Sequence, residues 1–265
     1  MSLSLPLFGI ARAQTDSPQG NTFFMPKDAL LGTAFVATSA GLSVLDARIA
    51  HFFQDTSLRH VRAGQRFDDV FTHINETTLT VGGLATYVVA RILKQRTVAD
   101  VALHTAEAVA AASGTSQLIR GPLGRTRPRN TKPAYENPYD FHAFAGFSHF
   151  ENRAFPSIHS SSGFAAASAL VAEVQRRHSA ATWAVAVPAY ALALTPGLSR
   201  MYLGQHWASD IVAGAFLGTF YGWRVVNYSH EHPTTPVDKL FLGDVEETRK
   251  TGTGHTLSLG WTVRF

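Results

Sequence analysis

The sequence predicts an all-α fold, a helical bundle with a short C-terminal β-strand or hairpin. Seven stretches of helical length are rich in alanine and poor in charge, which is typical of helices that pack closely together. Near the end of the last stretch, Gly214, Gly218 and Gly222 recur every four residues and place a smooth stripe on one helix face. A strictly alternating segment, Thr256–Phe265, predicts the strand.

The predicted helices follow one another along most of the chain: Leu30–Leu45, Asp46–Phe53, Val81–Leu93, Val98–Ile119, Ser160–Val174, Trp183–Leu194 and Ala208–Val226. The second has apolar residues at helical spacing. The third contains Gly82 and Gly83, and the fourth carries His104 and Glu107 among alanines.

One uncharged run, Ser179–Ser199, is long enough to cross a membrane. Pro188 and Pro196 interrupt it, however, and alanine supplies much of its apolarity. The other stretches are shorter or carry His, Glu or Arg. A central helix that is buried on all sides has the same composition, so we expect a soluble or peripheral protein.

Composition excludes several classes of function. Charged residues make up 16% of the 265 residues, and the net charge is only +4 without a dense Lys/Arg run, so nucleic acid is not an expected partner. There is no cysteine, which excludes disulfides and thiolate chemistry. A mildly basic chain suits an anionic small molecule or a negatively charged lipid surface.

The chain divides into three expected regions. Residues 1–13 contain a short apolar run followed by Ala11-Arg12-Ala13, which resembles the end of a secretory signal, so we expect a signal-peptide remnant there and an exported protein. Residues 14–230 form the helical domain. Residues 231–265 form a tail, in which we expect the strand to form a hairpin with Val237–Leu242 that folds onto the bundle.

Between two of the helices, Asn130–Phe155 predicts a long loop rich in aromatic residues and proline. Long loops inside compact domains are often lids or binding loops. The alternative is that these aromatic side chains simply pack on the bundle, and the two functions are compatible.

Three clusters of residues carry the chemistry. In the first, Arg120, Arg125 and Arg127 lie within eight residues. The guanidinium group presents a rigid fork of donors that suits phosphate oxygens. A basic surface loop would have the same composition.

The second cluster is Phe155–Ser160, which leads into a helix. Ser157 and the backbone N–H groups at a helix start attract an anion, and His159 could donate a proton to a leaving group. An ordinary serine-rich helix cap would look the same.

The third cluster is Ser199–Asp210. His206 and Asp210 are four residues apart and share a face if the segment is helical. A carboxylate bound to one ring nitrogen would leave the other nitrogen free as a nucleophile. Two ligands without a third are weak evidence for a metal, and a buried His–Asp pair without a catalytic role is the other alternative.

Together the clusters resemble the phosphatidic acid phosphatase type 2 superfamily, which includes bacterial acid phosphatases, lipid phosphatases and vanadium haloperoxidases. The family signature is KxxxxxxRP, PSGH and SRxxxxxHxxxD. This chain has RxxxxxxRP at Arg120–Pro128, PSIH at Pro156–His159 and the complete third motif at Ser199–Asp210. The resemblance spans about residues 46–226 and implies the family's helical bundle.

The resemblance implies a phosphatase that needs no metal and no cofactor. His206 is then the nucleophile that forms a phosphohistidine, Asp210 orients it, and His159 protonates the leaving group and later activates water. The resemblance also assigns phosphate binding to a set of five residues: Arg120, Arg127, Ser157, Ile158 and Arg200. The expected substrate is a phosphorylated lipid or small soluble ester. The expected location is the bacterial cell envelope, periplasmic or at the membrane surface.

Two positions depart from the family. Arg120 replaces the usual lysine and keeps the charge. Ile158 replaces the usual glycine, and it would be strained if the position required a positive φ. Two alternatives to a phosphatase therefore stay open: a vanadate-dependent haloperoxidase, and a phosphate or lipid-headgroup binder without catalysis.

Overall fold

The computed structural model describes residues 22–55, 71, 73–177 and 179–232. In this part of the chain the protein is an all-α bundle, as predicted. Its α-helices are α1 (Asp28–Ser43), α2 (Asp46–Gln54), α3 (Glu76–Ile92), α4 (Arg96–Leu123), α5 (Ile158–Arg177), α6 (Thr182–Tyr202) and α7 (Ala208–Glu231). Residues 1–13, Val237–Leu242 and the predicted strand lie outside the described residues.

Each predicted helical stretch corresponds to one of these helices. The sixth predicted stretch, Trp183–Leu194, lies within α6, which runs through both Pro188 and Pro196. A proline inside a helix removes one backbone hydrogen bond. Between the two prolines, Ala193 is buried and lies against Gly163 of α5.

No single helix in the described ranges has the length and apolarity needed to cross a membrane. Helices α1 and α2 pass that test only as a pair, and they are bent by 57° relative to each other.

The glycine stripe predicted from the sequence lies on α7 and faces α5. A Cβ atom at Gly214 would lie 2.3 Å from the carbonyl oxygen of Ser157, and one at Gly218 would lie 2.3 Å from that of Ser161. Backbone cannot move aside as a flexible side chain can, so only glycine permits this approach. The close packing fixes the N-terminal ends of α5 and α7 side by side.

The main core is built from small side chains where α4, α5 and α7 meet. Its buried members are Ala108, Val109, Ala112, Ala165, Ala169, Ala172, Tyr221, Val225 and Val226. The C-terminal end of α4 and the N-terminal ends of α5 and α7 lie at the same end of this core, which brings the three sequence clusters together.

The predicted loop between α4 and α5 is present and contains three short 3₁₀ turns. It rests on the end of α4, where Gly146 approaches the carbonyl group of Arg120 so closely that a Cβ would lie 2.0 Å from its oxygen. The loop therefore covers the end of the bundle at which the clusters converge.

Candidate active site

His206 lies just before α7 and is almost completely buried. Its Nδ1 is 2.7 Å from the carbonyl oxygen of Ala154 and 3.5 Å from Oδ2 of Asp210. A carbonyl oxygen only accepts, so Nδ1 carries the proton and donates it. Nε2 is then left with its lone pair, which is the form that a nucleophile requires.

Burial lowers the pKa of His206 well below its usual value, and the charges of Arg127, Arg120 and Arg200 lower it further. His206 is therefore neutral at physiological pH. All three guanidinium groups therefore act on the charge of the His206 ring.

Asp210 is fully buried in the first turn of α7. Its Oδ2 accepts a hydrogen bond from the backbone N–H of Trp207 at 2.8 Å. Its own carbonyl oxygen accepts one from the N–H of Ser157 at 3.0 Å. Asp210 thus joins the start of α7 to the start of α5, in addition to flanking His206.

The contacts of Arg125 with two buried carboxylates were not predicted from the sequence. Its Nη1 lies 2.6 Å from Oδ1 of Asp210, and its Nη2 lies 2.8 Å from Oδ2 of Asp46 in α2. Burial would lower the pKa of Arg125, but the two carboxylates more than offset it, so the pKa is raised. The first cluster contained this arginine, but its spacing gave no sign of which carboxylates it binds.

Arg120 and Arg127 are buried beside His206. Burial, followed by the charge of neighbouring Arg153, lowers the pKa of Arg120 to about 10. Burial, followed by the charges of Arg120 and Arg200, lowers that of Arg127 to about 9. Positive charge is thus concentrated in a poorly hydrated space, which favours an anion.

The donors of these two arginines are only partly used by the protein. Nη2 of Arg120 donates to the carbonyl oxygen of Arg153, while its buried Nε has no hydrogen-bond partner among the described residues. Arg127 donates from Nη1 to Oε1 of Gln205 and from Nε to the carbonyl oxygen of Phe150 at 3.0 Å.

His159 lies in the first turn of α5. Its Nε2 is 2.6 Å from Nη2 of Arg200, which can only donate. Nε2 is therefore the unprotonated nitrogen. Burial lowers the pKa of His159 to about 2, and the charges of Arg200 and His206 contribute next. An anion among the arginines would counteract these charges and make the ring easier to protonate.

Ser157 and Ile158 complete the set at the start of α5. Ser157 is fully buried, and its Oγ lies 3.2 Å from Oγ of Ser160. Ile158 is also buried and has ordinary helical geometry rather than a positive φ. The strain considered for an isoleucine at this position is therefore absent.

The structure thus brings together all eight predicted site residues: Arg120, Arg127, Ser157, Ile158, His159, Arg200, His206 and Asp210. Their arrangement differs from the prediction in one respect. The nearest acceptor for His206 Nδ1 is the Ala154 carbonyl group, and Asp210 lies farther away.

Exposed aromatic residues of the α4–α5 loop border this site, and we call them the aromatic rim: Tyr139, Phe141, Phe144, Phe147 and Phe150. The ring of Phe150 lies 3.9 Å from Cζ of Arg127. Each rim residue exposes roughly half of its surface or more. The backbone of the loop thus packs on the bundle, while these aromatic side chains stay largely exposed.

Comparisons with known proteins found a curated relative, a solved structure and a family that resemble this chain. The chain is 31% identical over 117 residues to a lipid A 4'-phosphatase of Bacteroides thetaiotaomicron, a match covering 44% of this chain and 48% of the relative. The chain thus spans about half the length of that curated relative. The chain also aligns with a solved structure, that of a transmembrane PAP2-type phosphatidylglycerolphosphate phosphatase from Bacillus subtilis. The alignment covers 78% of this chain and 98% of that chain, with 18% identity and a TM-score of 0.38.

The strongest comparison is with the PAP2 superfamily, whose sequence model matches residues 101–233. That range includes every predicted site residue, most of α4, and the whole of α5, α6 and α7. The chain belongs to the PAP2 superfamily.

Proposed function

We propose that the protein is a metal-independent phosphatase that hydrolyses phosphate monoesters through a phosphohistidine on His206. The observation that carries the proposal is the hydrogen bond from Nδ1 to Ala154, which leaves a lone pair on Nε2 of a buried ring among three arginines. These arginines supply the positive charge that a phosphoryl group needs, in the role that Mg²⁺ has in other enzymes.

In the first step, Nε2 of His206 attacks phosphorus as the bond to the ester oxygen breaks. Arg120, Arg127 and Arg200 hold the phosphoryl oxygens. His159, once protonated, gives its proton to the departing alkoxide. The ring of His206 gains positive charge as the N–P bond forms, and the carboxylate of Asp210 3.5 Å away stabilises that charge.

In the second step, water attacks the phosphohistidine. The now neutral His159 accepts a proton from the water, the N–P bond breaks, and inorganic phosphate and the neutral His206 are regenerated. His159 thus recovers the proton that it donated in the first step. The hydrogen bond from Arg200 to Nε2 orients the neutral ring, and it must open when Nε2 takes up the proton.

We further propose that the substrate is a lipid with a phosphate monoester. The matching relative is a lipid A 4'-phosphatase, and the aromatic rim places exposed apolar surface beside the site. Apolar side chains are also exposed on α1, α3 and α6, including Leu30, Val36, Val88, Ile92, Trp183 and Val187. Large exposed apolar surfaces mark sites that meet lipid or another apolar partner, which supports a location at a membrane of the cell envelope.

The test of catalysis is release of inorganic phosphate in the presence of EDTA, from dispersed phosphatidic acid and from p-nitrophenyl phosphate. We expect release that orthovanadate inhibits and that His206→Ala abolishes. His149→Ala is the matched control, because His149 is an exposed loop histidine outside the proposed machinery. Equal release by the His206→Ala variant and the wild type would reject the proposal.

The test of the substrate class uses a double variant of the rim, Phe144→Ser with Phe147→Ser. The rings of these residues stack on each other and are both exposed. We expect release from phosphatidic acid to fall while release from p-nitrophenyl phosphate is unchanged. His149→Ala, which alters an exposed residue of the same loop that is not part of the rim, is the control. An equal loss with both substrates would argue against a lipid-specific function of the rim.

A further inference from the structure

A second cluster of polar residues lies in the bundle, away from the phosphatase site. His104 of α4, Glu173 of α5 and His230 of α7 meet there. His104 and Glu173 are buried, whereas 28% of the His230 side chain is exposed. From the site residue Ile158 to Glu173, helix α5 rises roughly 22 Å at about 1.5 Å per residue. The cluster therefore belongs to the opposite end of the bundle.

The donor atoms of the three side chains converge. Nδ1 of His104 lies 2.5 Å from Oε1 of Glu173, and Nε2 of His230 lies 3.1 Å from both carboxylate oxygens. One ligand atom from each residue lies within 4.8 Å of the other two. Two imidazole nitrogens and one carboxylate oxygen suit divalent transition metals rather than Mg²⁺ or Ca²⁺.

We propose that His104, Glu173 and His230 form a binding site for a divalent transition-metal ion such as Zn²⁺, separate from the phosphatase site. Its three protein ligands come from the three helices that build the core. The exposed part of His230 provides a path for the ion and room for water as a fourth ligand. The ion would join the far ends of α4, α5 and α7, so its effect is on stability and not on the phosphoryl chemistry.

Arg177 and Asp100 form the surroundings of this site. Arg177 donates to Oε2 of Glu173 and lies 3.5 Å from Oδ2 of Asp100. Oε1 is then the oxygen that faces His104 and is available to the ion. Hydrogen bonds to the second oxygen of a ligating carboxylate orient it, as in many metal sites. Asp100 and Arg177 also offset each other's charge.

Small movements would admit the ion. Zinc with bonds of about 2.0–2.1 Å separates its tetrahedral ligands by roughly 3.3 Å, so the His104 and Glu173 atoms must part by somewhat less than 1 Å. Nδ1 of His104 and Nε2 of His230 each donate a hydrogen bond to the carboxylate, so each must lose its proton, either to the other nitrogen of the same ring or to water. The competing explanation is a closed ion-pair network of Glu173 with Arg177 and the two histidines, which needs no metal.

Zinc binding to the full chain, prepared without a histidine tag and stripped with a chelator, tests the proposal. We expect one Zn²⁺ per chain by elemental analysis after dialysis. Zinc at a hundredfold excess over its Kd should raise Tm by roughly 5–10 °C. His230→Gln and Glu173→Gln should both lose the retained zinc and the shift in Tm, while His149→Ala keeps them.

His230→Gln is the decisive variant, because its partly exposed position makes folding without the histidine easy to achieve. Circular dichroism of each variant verifies the fold. Absence of retained zinc in the wild type would overturn the proposal in favour of the ion-pair network. Equal retention by wild type and His230→Gln would also overturn it, since the zinc would then be bound elsewhere. Neither readout depends on phosphatase activity.

Discussion

His206 and Ala154 are joined by a hydrogen bond of 2.7 Å from the ring Nδ1–H to the backbone carbonyl oxygen. Ala154 directly precedes the second sequence cluster, whereas His206 belongs to the third, so this bond connects the segments that lead into α5 and α7. It sets the tautomer of the ring without using a carboxylate. Asp210 is then available for its shorter contact with Arg125 at 2.6 Å.

The first prediction concerns Arg125, which links Asp210 to Asp46. Arg125→Ala leaves two buried carboxylates without their shared cation, and breaking a buried ion pair costs about 3–5 kcal/mol. We expect the free energy of unfolding in urea to fall by that amount. The control is Arg129→Ala, since Arg129 is exposed, and its effect should be within about 0.5 kcal/mol. Equal, small effects for both variants would mean that the Arg125 contacts contribute little.

The second prediction concerns the contact between α5 and α7. Gly218→Ala places a methyl group against the Ser161 carbonyl oxygen, and such overpacking costs about 1–3 kcal/mol. Because the same contact holds Ser157 beside Asp210, we expect phosphate release to fall as well. Thermal unfolding and the phosphatase assay measure the two effects.

Gly82→Ala is the matched control for this substitution. Gly82 lies inside α3 with open space around its Cβ position. The added methyl group should stabilise the helix by about 0.5–1 kcal/mol and leave phosphate release unchanged. A similar loss of stability and phosphate release in both variants would show that the α5–α7 contact is no more sensitive to an added methyl group than the exposed face of α3.

The third prediction concerns the departure from the family at Ile158. Because Ile158 is buried in ordinary helical geometry, restoring glycine relieves no strain. Ile158→Gly should lower the free energy of unfolding by about 1.5–3 kcal/mol through lost burial of the side chain. It should not increase kcat/KM for phosphatidic acid. A marked rise in kcat/KM would indicate that the isoleucine side chain obstructs the substrate.

The fourth prediction concerns pH and His159. Its pKa is about 2 in the folded protein and near 6.5 when unfolded, so the unfolded chain binds the extra proton. The stability that the neutral His159 contributes is fully present above pH 6.5. It is lost as the pH falls below this value, by up to about 1.4 kcal/mol per pH unit for one such group. His159→Gln should lose less stability than the wild type between pH 6.5 and pH 4.

Bound anion should modify this pH dependence. Vanadate or phosphate among the arginines counteracts the charges that lower the pKa of His159. The wild type with either anion should therefore lose stability less steeply over the same pH range, as measured by urea unfolding. An unchanged slope in both the His159→Gln variant and the anion-bound protein would contradict the assigned environment of His159.

Much of the fold follows from local sequence. Alanine-rich stretches and the four-residue repeat of glycine predict the helices and the close contact of α7, and the motif spacings predict the site residues. The contact of Arg125 with Asp46 is different, because it joins residues that are distant in the chain and match no motif. The same holds for Ala154, whose role depends on a backbone carbonyl group that no side-chain pattern reveals. His104, Glu173 and His230 meet only because α4, α5 and α7 pack together.

The most direct test of the central claim is to trap the covalent intermediate. Protein mixed with a phosphate monoester and quenched in alkali within milliseconds should carry one phosphoryl group, which peptide mass spectrometry locates on His206. Asp210→Asn should still form the same adduct, because the hydrogen bond to Ala154 sets the tautomer. The adduct should form more slowly, because the carboxylate that stabilises the positive ring is lost. Phosphate release that continues without any adduct on His206, and that persists in His206→Ala, would contradict the proposed mechanism.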